Sequence, residues 1–156
     1  KTGEPIPDDL LNKMLELRAS DMGSHVQRQI ALSLFSLRLF GPEKHEINTL
    51  FEQLYEEVVF SAAFDKESNF AAAFGHLSNP GYVSKYYGYM WTKVFALDLF
   101  DNVRNSQASI LEDGKGAHRV RALLSAGGSV DPNKLLKEFL GRGPSQKAFL
   151  KELGFA

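Results

Sequence analysis

The spacing of the apolar residues constrains this fold most, because they recur every three to four positions through most of the chain. The first run follows Pro7-Asp8-Asp9, a helix-start signal with acidic residues in the first turn, and contains Leu10, Leu11, Met14, Leu15 and Leu17. Met22-Gly23-Ser24 predicts a break after this run. The next helix is predicted from Ser24 to the stop at Gly41-Pro42. It is apolar on more than one face, which predicts burial from several sides.

The rest of the chain also has helical punctuation. A third helix is predicted from Lys44 to Val59, a loop with a short helix over 60–83, and a long helix from Ser84 to Asn105. Three shorter helices follow. In the second of them Asp131 is the expected N-cap, Pro132 the first helical residue and Gly141 the stop; Ser145 and Gly154 are expected to cap and end the last. The only β-like run, Val58-Val59-Phe60, is too short for a strand. The sequence therefore predicts one all-α unit.

Charge and composition exclude several classes of function. The 18 basic and 19 acidic residues nearly cancel, so there is no basic footprint for nucleic acid or anionic lipid. No apolar run approaches the ~18–20 residues that span a bilayer, and cysteine is absent. We therefore expect no nucleic-acid partner, no membrane partner and an intracellular location, cytoplasmic or in an organellar matrix. The start at Lys1-Thr2-Gly3-Glu4-Pro5, without an initiator Met, predicts an engineered segment, a proteolytic piece or a part of something larger.

A metal site is not predicted within the chain. His45-Glu46 begins like the H-E-x-x-H zinc motif, but Ile47-Asn48-Thr49 follows and the second histidine is missing. We interpret this segment as a polar helix start, and the four histidines are too scattered to share a metal. A basic set between residues 115 and 121 is interpreted as a solvated helix face: Lys115, His118, Arg119 and Arg121.

A group of tyrosines after residue 80 is the clearest candidate site. At about 100° per residue, one helix would hold Tyr82, Tyr86, Tyr89 and Lys93 within a stripe of ~60°. If the helix begins after Tyr82, that residue belongs to the preceding loop. Phenol hydroxyls projecting together can donate to a peptide carbonyl or to its tetrahedral oxyanion. Packing is the competing interpretation, since aromatic residues at this spacing more often form a core.

The residues around these tyrosines carry a family resemblance. Phe74-Gly75-His76-Leu77 is followed by Ser78-Asn79-Pro80-Gly81-Tyr82 and then Tyr86-Tyr87-Gly88-Tyr89-Met90-Trp91. This order resembles the thimet oligopeptidase–neurolysin family of zinc metallopeptidases, which includes oligopeptidase A. The flanks agree over nearly the whole chain: Thr2–Pro7, Arg28-Gln29, Gly127-Gly128-Ser129, Leu135-Leu136, Phe139–Arg142 and Ala148–Leu150. One departure is a single Gly81 after Pro80, where the family's turn has two or three glycines. We expect this turn to adapt less freely to different peptides.

The resemblance implies a function and a set of roles. Residues 1–156 would be the C-terminal helical part of the catalytic region of a larger, mostly helical, two-halved peptidase, forming one wall of its substrate cleft. His76 and Tyr82 would hold the substrate backbone, Tyr89 would stabilise the oxyanion, and Tyr86 would be their neighbour. Zinc and the general base would belong to residues upstream of this chain. The expected partners are short peptides and either the remainder of the same peptidase or a second copy of the chain. The alternative is a non-catalytic helical interaction module derived from that family.

Overall fold

A computed structural model describes residues 3–106 and 114–155, apart from the side chains of residues 18 and 19. Thr2, which begins one of the family-like segments, lies outside the described residues. The described elements are helices, with no strand among them: α1 Asp8–Leu39, α2 Ile47–Val58, α3 Phe70–Ala73, a 3-10 turn Gly75–Leu77, α4 Gly88–Asn105, α5 Lys115–Ala126, α6 Pro132–Leu140 and α7 Lys147–Glu152. The all-α prediction is therefore confirmed.

The first helix is continuous where the sequence predicted a break. α1 runs for 32 residues through Met22-Gly23-Ser24. A mid-helix glycine costs only about 1 kcal/mol relative to alanine, and Gly23 does not adopt a positive φ. The strong helical pattern on both sides outweighs that local cost. The predicted stop is confirmed, because the helix ends before Gly41, whose N–H donates to the Arg38 carbonyl at 3.0 Å.

The chain forms two compact units, Lys1–Tyr89 and Met90–Ala156, where the sequence predicted one. Their boundary lies inside α4, so no linker composition marks it. In the first unit α2 packs on α1 and α3 packs on α2. The core joins side chains of all three helices to two aromatic residues, Phe74 and Tyr86, of the segment between α3 and α4. Its helical members are Leu32, Phe35, Leu50, Phe51, Leu54 and Ala71.

The interpretation of His45-Glu46 as a helix start is confirmed. Glu46 is the N-cap of α2, and its carboxylate accepts from the N–H groups of Thr49 at 2.6 Å and Asn48 at 3.2 Å. These hydrogen bonds, with Thr49 the main contributor, hold the pKa of Glu46 below its ordinary value. Capping of the free N–H groups at a helix start explains the glutamate without any metal.

In the second unit the predicted caps of α6 are confirmed. Asp131 accepts from the N–H groups of Asn133 and Lys134, Pro132 follows, and Gly141 ends the helix with φ 69°. At α7 the N-cap position is Gln146, although the Ser145 hydroxyl accepts from the Lys147 N–H at 3.2 Å. The last helix is followed by Gly154 with φ 82°. Local capping rules therefore account for most of these boundaries.

The solvated-face interpretation of the basic set is wrong for Arg119. Its guanidinium lies 4.5 Å from the centre of the Phe139 ring and donates to the Phe139 carbonyl at 2.7 Å. It also donates to the side-chain oxygen of Asn102 at 3.0 Å. Arg119 thus joins α4, α5 and α6, which a helical wheel of α5 alone does not reveal.

None of the described helices is both long and apolar enough to cross a membrane.

Candidate functional site

A chain of tight turns leads from α3 to the start of α4 and carries the predicted site residues. The N–H groups of Tyr82 and Val83 donate to the Asn79 carbonyl. Two further turns follow, in which the Lys85 N–H donates to the Tyr82 carbonyl and the Tyr89 N–H donates to the Tyr86 carbonyl. The side-chain oxygen of Asn79 accepts from the Gly81 N–H at 3.0 Å. Asparagine favours such turns because its side chain mimics a backbone acceptor. The segment is therefore ordered by its own local hydrogen bonds.

A buried serine ties this segment to the first helix. Ser36 is fully buried in α1, and its hydroxyl donates to the Val83 carbonyl at 2.8 Å. Val83 lies next to Tyr82, and Tyr86 is itself part of the core. This hydrogen bond joins the turn to α1 across 47 positions of the sequence. Tyr82 and Tyr86 are therefore held next to α1 in the segment that precedes α4, the helix that carries Tyr89.

His76 lies at the centre of three tyrosine rings. Its ring centre is 5.4 Å from that of Tyr82, 5.0 Å from Tyr86 and 5.7 Å from Tyr89, and all three pairs meet edge to face, at 89°, 86° and 85°. Phe74 supports the histidine from the core side at 5.0 Å. Edge-to-face contacts favour one mutual orientation of the rings. All four residues named by the family resemblance therefore lie together in the first unit.

The three tyrosines differ in exposure. Tyr86 is 8% exposed and packs against Phe74 at 5.1 Å, whereas Tyr82 and Tyr89 are 44% and 46% exposed. Together with His76 they line an open cavity of about 600 Å³, whose wall is completed by Arg28, Gln29, Leu32, Phe70, Ala73, Phe74, Gly75 and Asn79. Tyr86 supports the group from below, while Tyr82 and Tyr89 face open space.

The geometry corrects the helical-stripe interpretation. α4 begins at Gly88, so Tyr82 and Tyr86 are not on a helix and reach the cavity through the turns. Of the predicted stripe only Tyr89 and Lys93 lie on α4, and Lys93 pairs with Glu152 at 3.2 Å in the second unit. Tyr86 is a core residue, which agrees with the packing interpretation at this position. Tertiary contacts, not helical periodicity, bring the tyrosines together.

One hydrogen bond sets the chemistry of the group. His76 Nε2 and the Tyr89 hydroxyl are 3.1 Å apart. If Nε2 carries the proton, it donates to the phenol oxygen, and the phenol proton stays available to a third group. If Nε2 is unprotonated, the phenol donates to it and loses that capacity. Only the first arrangement lets Tyr89 donate to a carbonyl in the cavity.

The described residues offer no ligand set for zinc. No three side chains among His, Cys, Asp and Glu converge anywhere in residues 3–106 and 114–155. A hydrolytic zinc needs about three protein ligands. His76 and the three tyrosines around it, Tyr82, Tyr86 and Tyr89, form what we call the ring group. The ring group has one histidine and no carboxylate, so it does not fit a zinc ion. Its phenol and imidazole groups suit hydrogen bonding to a neutral or anionic ligand instead.

The structure adds cavity residues to those that the sequence named. Arg28 and Gln29 on α1 line the same cavity, although the sequence showed them only as a flanking likeness. They are more than 40 positions from the tyrosines, so no local spacing connects them. The packing of α1 beneath the turns makes them part of the site. Asn79 is turn punctuation in the sequence and is also part of the wall.

Comparison with known proteins identifies the chain's relatives. A family model described as peptidase family M3 matches residues 1–155. Saccharolysin of Saccharomyces cerevisiae is 33% identical over 157 residues, and oligopeptidase A of Escherichia coli is 34% identical over 159 residues. The organellar oligopeptidase A of Arabidopsis thaliana is 28% identical over 162 residues. These alignments cover 99% of this chain but only 22%, 23% and 20% of the relatives. The chain thus spans less than a quarter of their length.

Proposed function

This chain belongs to peptidase family M3, and on that premise we propose that it is the C-terminal helical part of the catalytic region of an oligopeptidase that hydrolyses short peptides. The observation that carries the proposal is the ring group around His76, which combines imidazole and phenol groups on one open wall. In this proposal the wall is one side of the substrate cleft. The other half of the peptidase, the zinc ligands and the general base belong to residues upstream of this chain.

The exposed members of the group hold the peptide backbone. A bound peptide presents carbonyl oxygens that lose their water and need donors. The hydroxyl of Tyr82 supplies a donor to such a carbonyl, and Nδ1 of His76, unprotonated when Nε2 carries the proton, supplies an acceptor to a peptide N–H; both belong to a segment that its own hydrogen bonds keep ordered. Tyr86 is buried and serves as the neighbour that supports the histidine ring. A preorganised donor and acceptor of this kind bind a peptide backbone without selecting a side chain.

Tyr89 stabilises the oxyanion that forms at the attacked carbonyl. Tyr89 is 46% exposed, and the hydrogen bond with His76 constrains the direction of its hydroxyl. With the proton on Nε2, His76 donates to the phenol, which strengthens the phenol as a donor because chained hydrogen bonds polarise one another. A donor aimed at a developing negative charge lowers the barrier more than it strengthens ground-state binding. His76 therefore has two roles, touching substrate and orienting Tyr89.

The experiment compares the full-length protein that carries this chain with the 156-residue chain alone. We expect the full-length protein to hydrolyse short fluorescence-quenched peptides and the isolated chain to hydrolyse none. We also expect no stoichiometric zinc in the isolated chain after chelation and refilling. Peptide binding by the full-length protein without hydrolysis would instead support the interaction module. Hydrolysis by the isolated chain would contradict the division of the site that we propose.

A further inference from the structure

The charge of the cavity wall points to a second kind of ligand group. Of the described residues that line the cavity, Arg28 is the one with a formal charge at neutral pH when histidine is neutral, and none is Asp or Glu. The remaining polar groups there are amides, phenols and one imidazole. All of these can donate hydrogen bonds. A wall with one fixed cation and no carboxylate favours a ligand that carries negative charge.

Arg28 is held in place by an aromatic stack. Its guanidinium lies 5.7 Å from the centre of the Phe70 ring. Phe70 stacks in turn on Phe51 at 4.5 Å and on Phe74 at 5.6 Å, and both of these belong to the buried core. At this distance the contact is a cation–π attraction, which leaves the N–H groups of the guanidinium able to bind a ligand. It favours a position of the exposed arginine over Phe70 at the cavity wall.

Arg28 also borders a neighbouring pocket that Asp65 lines, but the guanidinium forms no ion pair within the part of the chain that the structure describes. An arginine that lines a cavity without a carboxylate partner stays hydrated, and a ligand carboxylate can replace that water with two parallel hydrogen bonds. We infer that Arg28 forms a carboxylate-binding subsite of this cavity. The carboxylate is that of a peptide, either its C-terminal group or an acidic side chain.

This inference rests on the proposed function, because it assigns the charge of the peptide that the ring group binds. It adds a selective contact to the unselective backbone contacts of His76 and Tyr82. Loss of Arg28 should therefore change which peptides are cleaved and leave the chemical step intact. That split distinguishes a subsite from a structural role.

The test uses the full-length protein and two matched pairs of fluorescence-quenched peptides. One pair differs only in a free or amidated C-terminus, and the other only in Glu or Gln at one position. In Arg28→Gln we expect KM to rise about tenfold for the carboxylate member of one pair, with kcat and the uncharged members nearly unchanged, since hydrogen bonds to charged groups are the stronger ones. The pair that responds identifies the source of the carboxylate.

The matched control is Arg38→Gln on the same helix. Arg38 pairs with Glu57 at 4.0 Å and does not line the cavity, so we expect no change in peptide preference. Arg28→Lys keeps the charge but loses the planar fork, and we expect an intermediate KM. The preference of the wild type should also weaken as salt rises.

Failure of the proposed function and failure of the carboxylate subsite give different results in this experiment. If the wild-type protein cleaves none of the four peptides, the proposed function fails. If it cleaves them and Arg28→Gln retains the wild-type preference in both pairs, the carboxylate subsite is wrong and the proposed function stands. An equal loss for all four peptides in Arg28→Gln would also overturn the subsite, because a general loss is what a structural residue gives.

Discussion

At the scale of single residues, the Tyr89 hydroxyl is the group whose removal tests the chemistry most directly. Tyr89→Phe keeps the ring and its edge-to-face contacts with His76 and Tyr86. If the hydroxyl meets negative charge only in the transition state, kcat should fall roughly 10²–10³-fold while KM changes little. Steady-state kinetics of the full-length protein, with zinc content and melting temperature matched to wild type, measure this.

Tyr87→Phe is the control for that experiment. Tyr87 is as exposed as Tyr89 but does not line the cavity. Loss of its hydroxyl should leave both kcat and KM near the wild-type values. Equal effects at positions 87 and 89 would rule out a transition-state role for Tyr89.

The site residues themselves were predicted from the order of residues in the sequence, but their arrangement was not. His76, Tyr82, Tyr86 and Tyr89 were named from a family-like run of residues, and the structure brings all four together. Their roles as substrate contacts stay predictions. The helical wheel that grouped the tyrosines was wrong, because the turn hydrogen bonds delay the start of α4 to Gly88.

At the scale of elements, the continuity of α1 can be tested with one glycine. Gly23 lies in the helix interior, is exposed, and a Cβ there would have no atom within 4 Å. Gly23→Ala should therefore stabilise the first unit by about 0.5–1 kcal/mol. Chemical unfolding followed by circular dichroism measures the change. No gain, or a loss, would indicate that the helix breaks at Met22-Gly23-Ser24 after all.

The same substitution at Gly141 should have the opposite sign. Gly141 ends α6 with φ 69°, and a Cβ added to it would also meet no atom within 4 Å. A side chain in the left-handed region costs about 1 kcal/mol or more. Gly141→Ala should destabilise the second unit by roughly that amount. Because the added methyl group meets no neighbour at either glycine, opposite effects at Gly23 and Gly141 would come from backbone conformation and not from steric crowding.

A buried ion pair holds the segment after α6 to α4. Asp98 is only 3% exposed, accepts from both terminal nitrogens of Arg142 at 2.8 and 2.6 Å, and accepts from the Ser145 N–H at 2.8 Å. The Arg142 hydrogen bond is the main reason that the pKa of Asp98 lies below its ordinary value of 3.8. We expect Asp98→Asn to destabilise the second unit by about 2–3 kcal/mol at neutral pH, less than a fully buried pair because Arg142 is half exposed.

The pH dependence of that effect has a definite sign. Because the folded pKa is lowered, the ion pair contributes its full stability above the ordinary pKa of 3.8 and loses it as pH falls through the lower folded value. The gap between wild type and Asp98→Asn should therefore shrink below about pH 4. Fluorescence of Trp91, which lies on α4 with Asp98, follows the unfolding.

The exposed pair of Asp101 and Arg104 is the control, and Asp101→Asn should lower the free energy of unfolding by less than about 1 kcal/mol. A gap that stays constant down to the acid range would contradict the assignment.

At the scale of the whole molecule, α1 exposes an apolar surface that the described residues leave uncovered. Its first half presents large side chains at helical spacing, with exposed fractions from 42% to 70%: Leu10, Leu11, Met14, Leu15 and Leu17. The second half is buried on one side through Leu32 and Phe35, while Ile30 and Leu37 are exposed. The predicted burial from several sides thus holds only in part. Contiguous apolar surface of this kind marks an interface.

We predict that the isolated chain self-associates through that surface. Replacing Leu10, Met14 and Leu17 together by Gln keeps helix propensity close to that of the wild type and removes the apolar stripe. Sedimentation should then show a monomer where the wild type shows larger species. A wild-type chain that is monomeric at high concentration and binds no dye for apolar surface would show that the face needs no partner.

The sequence by itself determined the helical class, the caps of α2 and α6, and the identity of the ring-group residues. Each cap is decided by contacts within about four positions, as in Glu46 with Thr49 and Asp131 with Lys134, so local chemistry is sufficient. Tertiary structure decided the rest. Ser36 meets Val83 across 47 positions, and Asp98 meets Arg142 across 44. Contacts at such separations depend on how whole helices pack, and packing of this kind sets the depth of Tyr86 and the place of Arg28 on the cavity wall. Local periodicity carries no information about them, because loop closure brings together residues whose spacing in sequence follows no helical repeat.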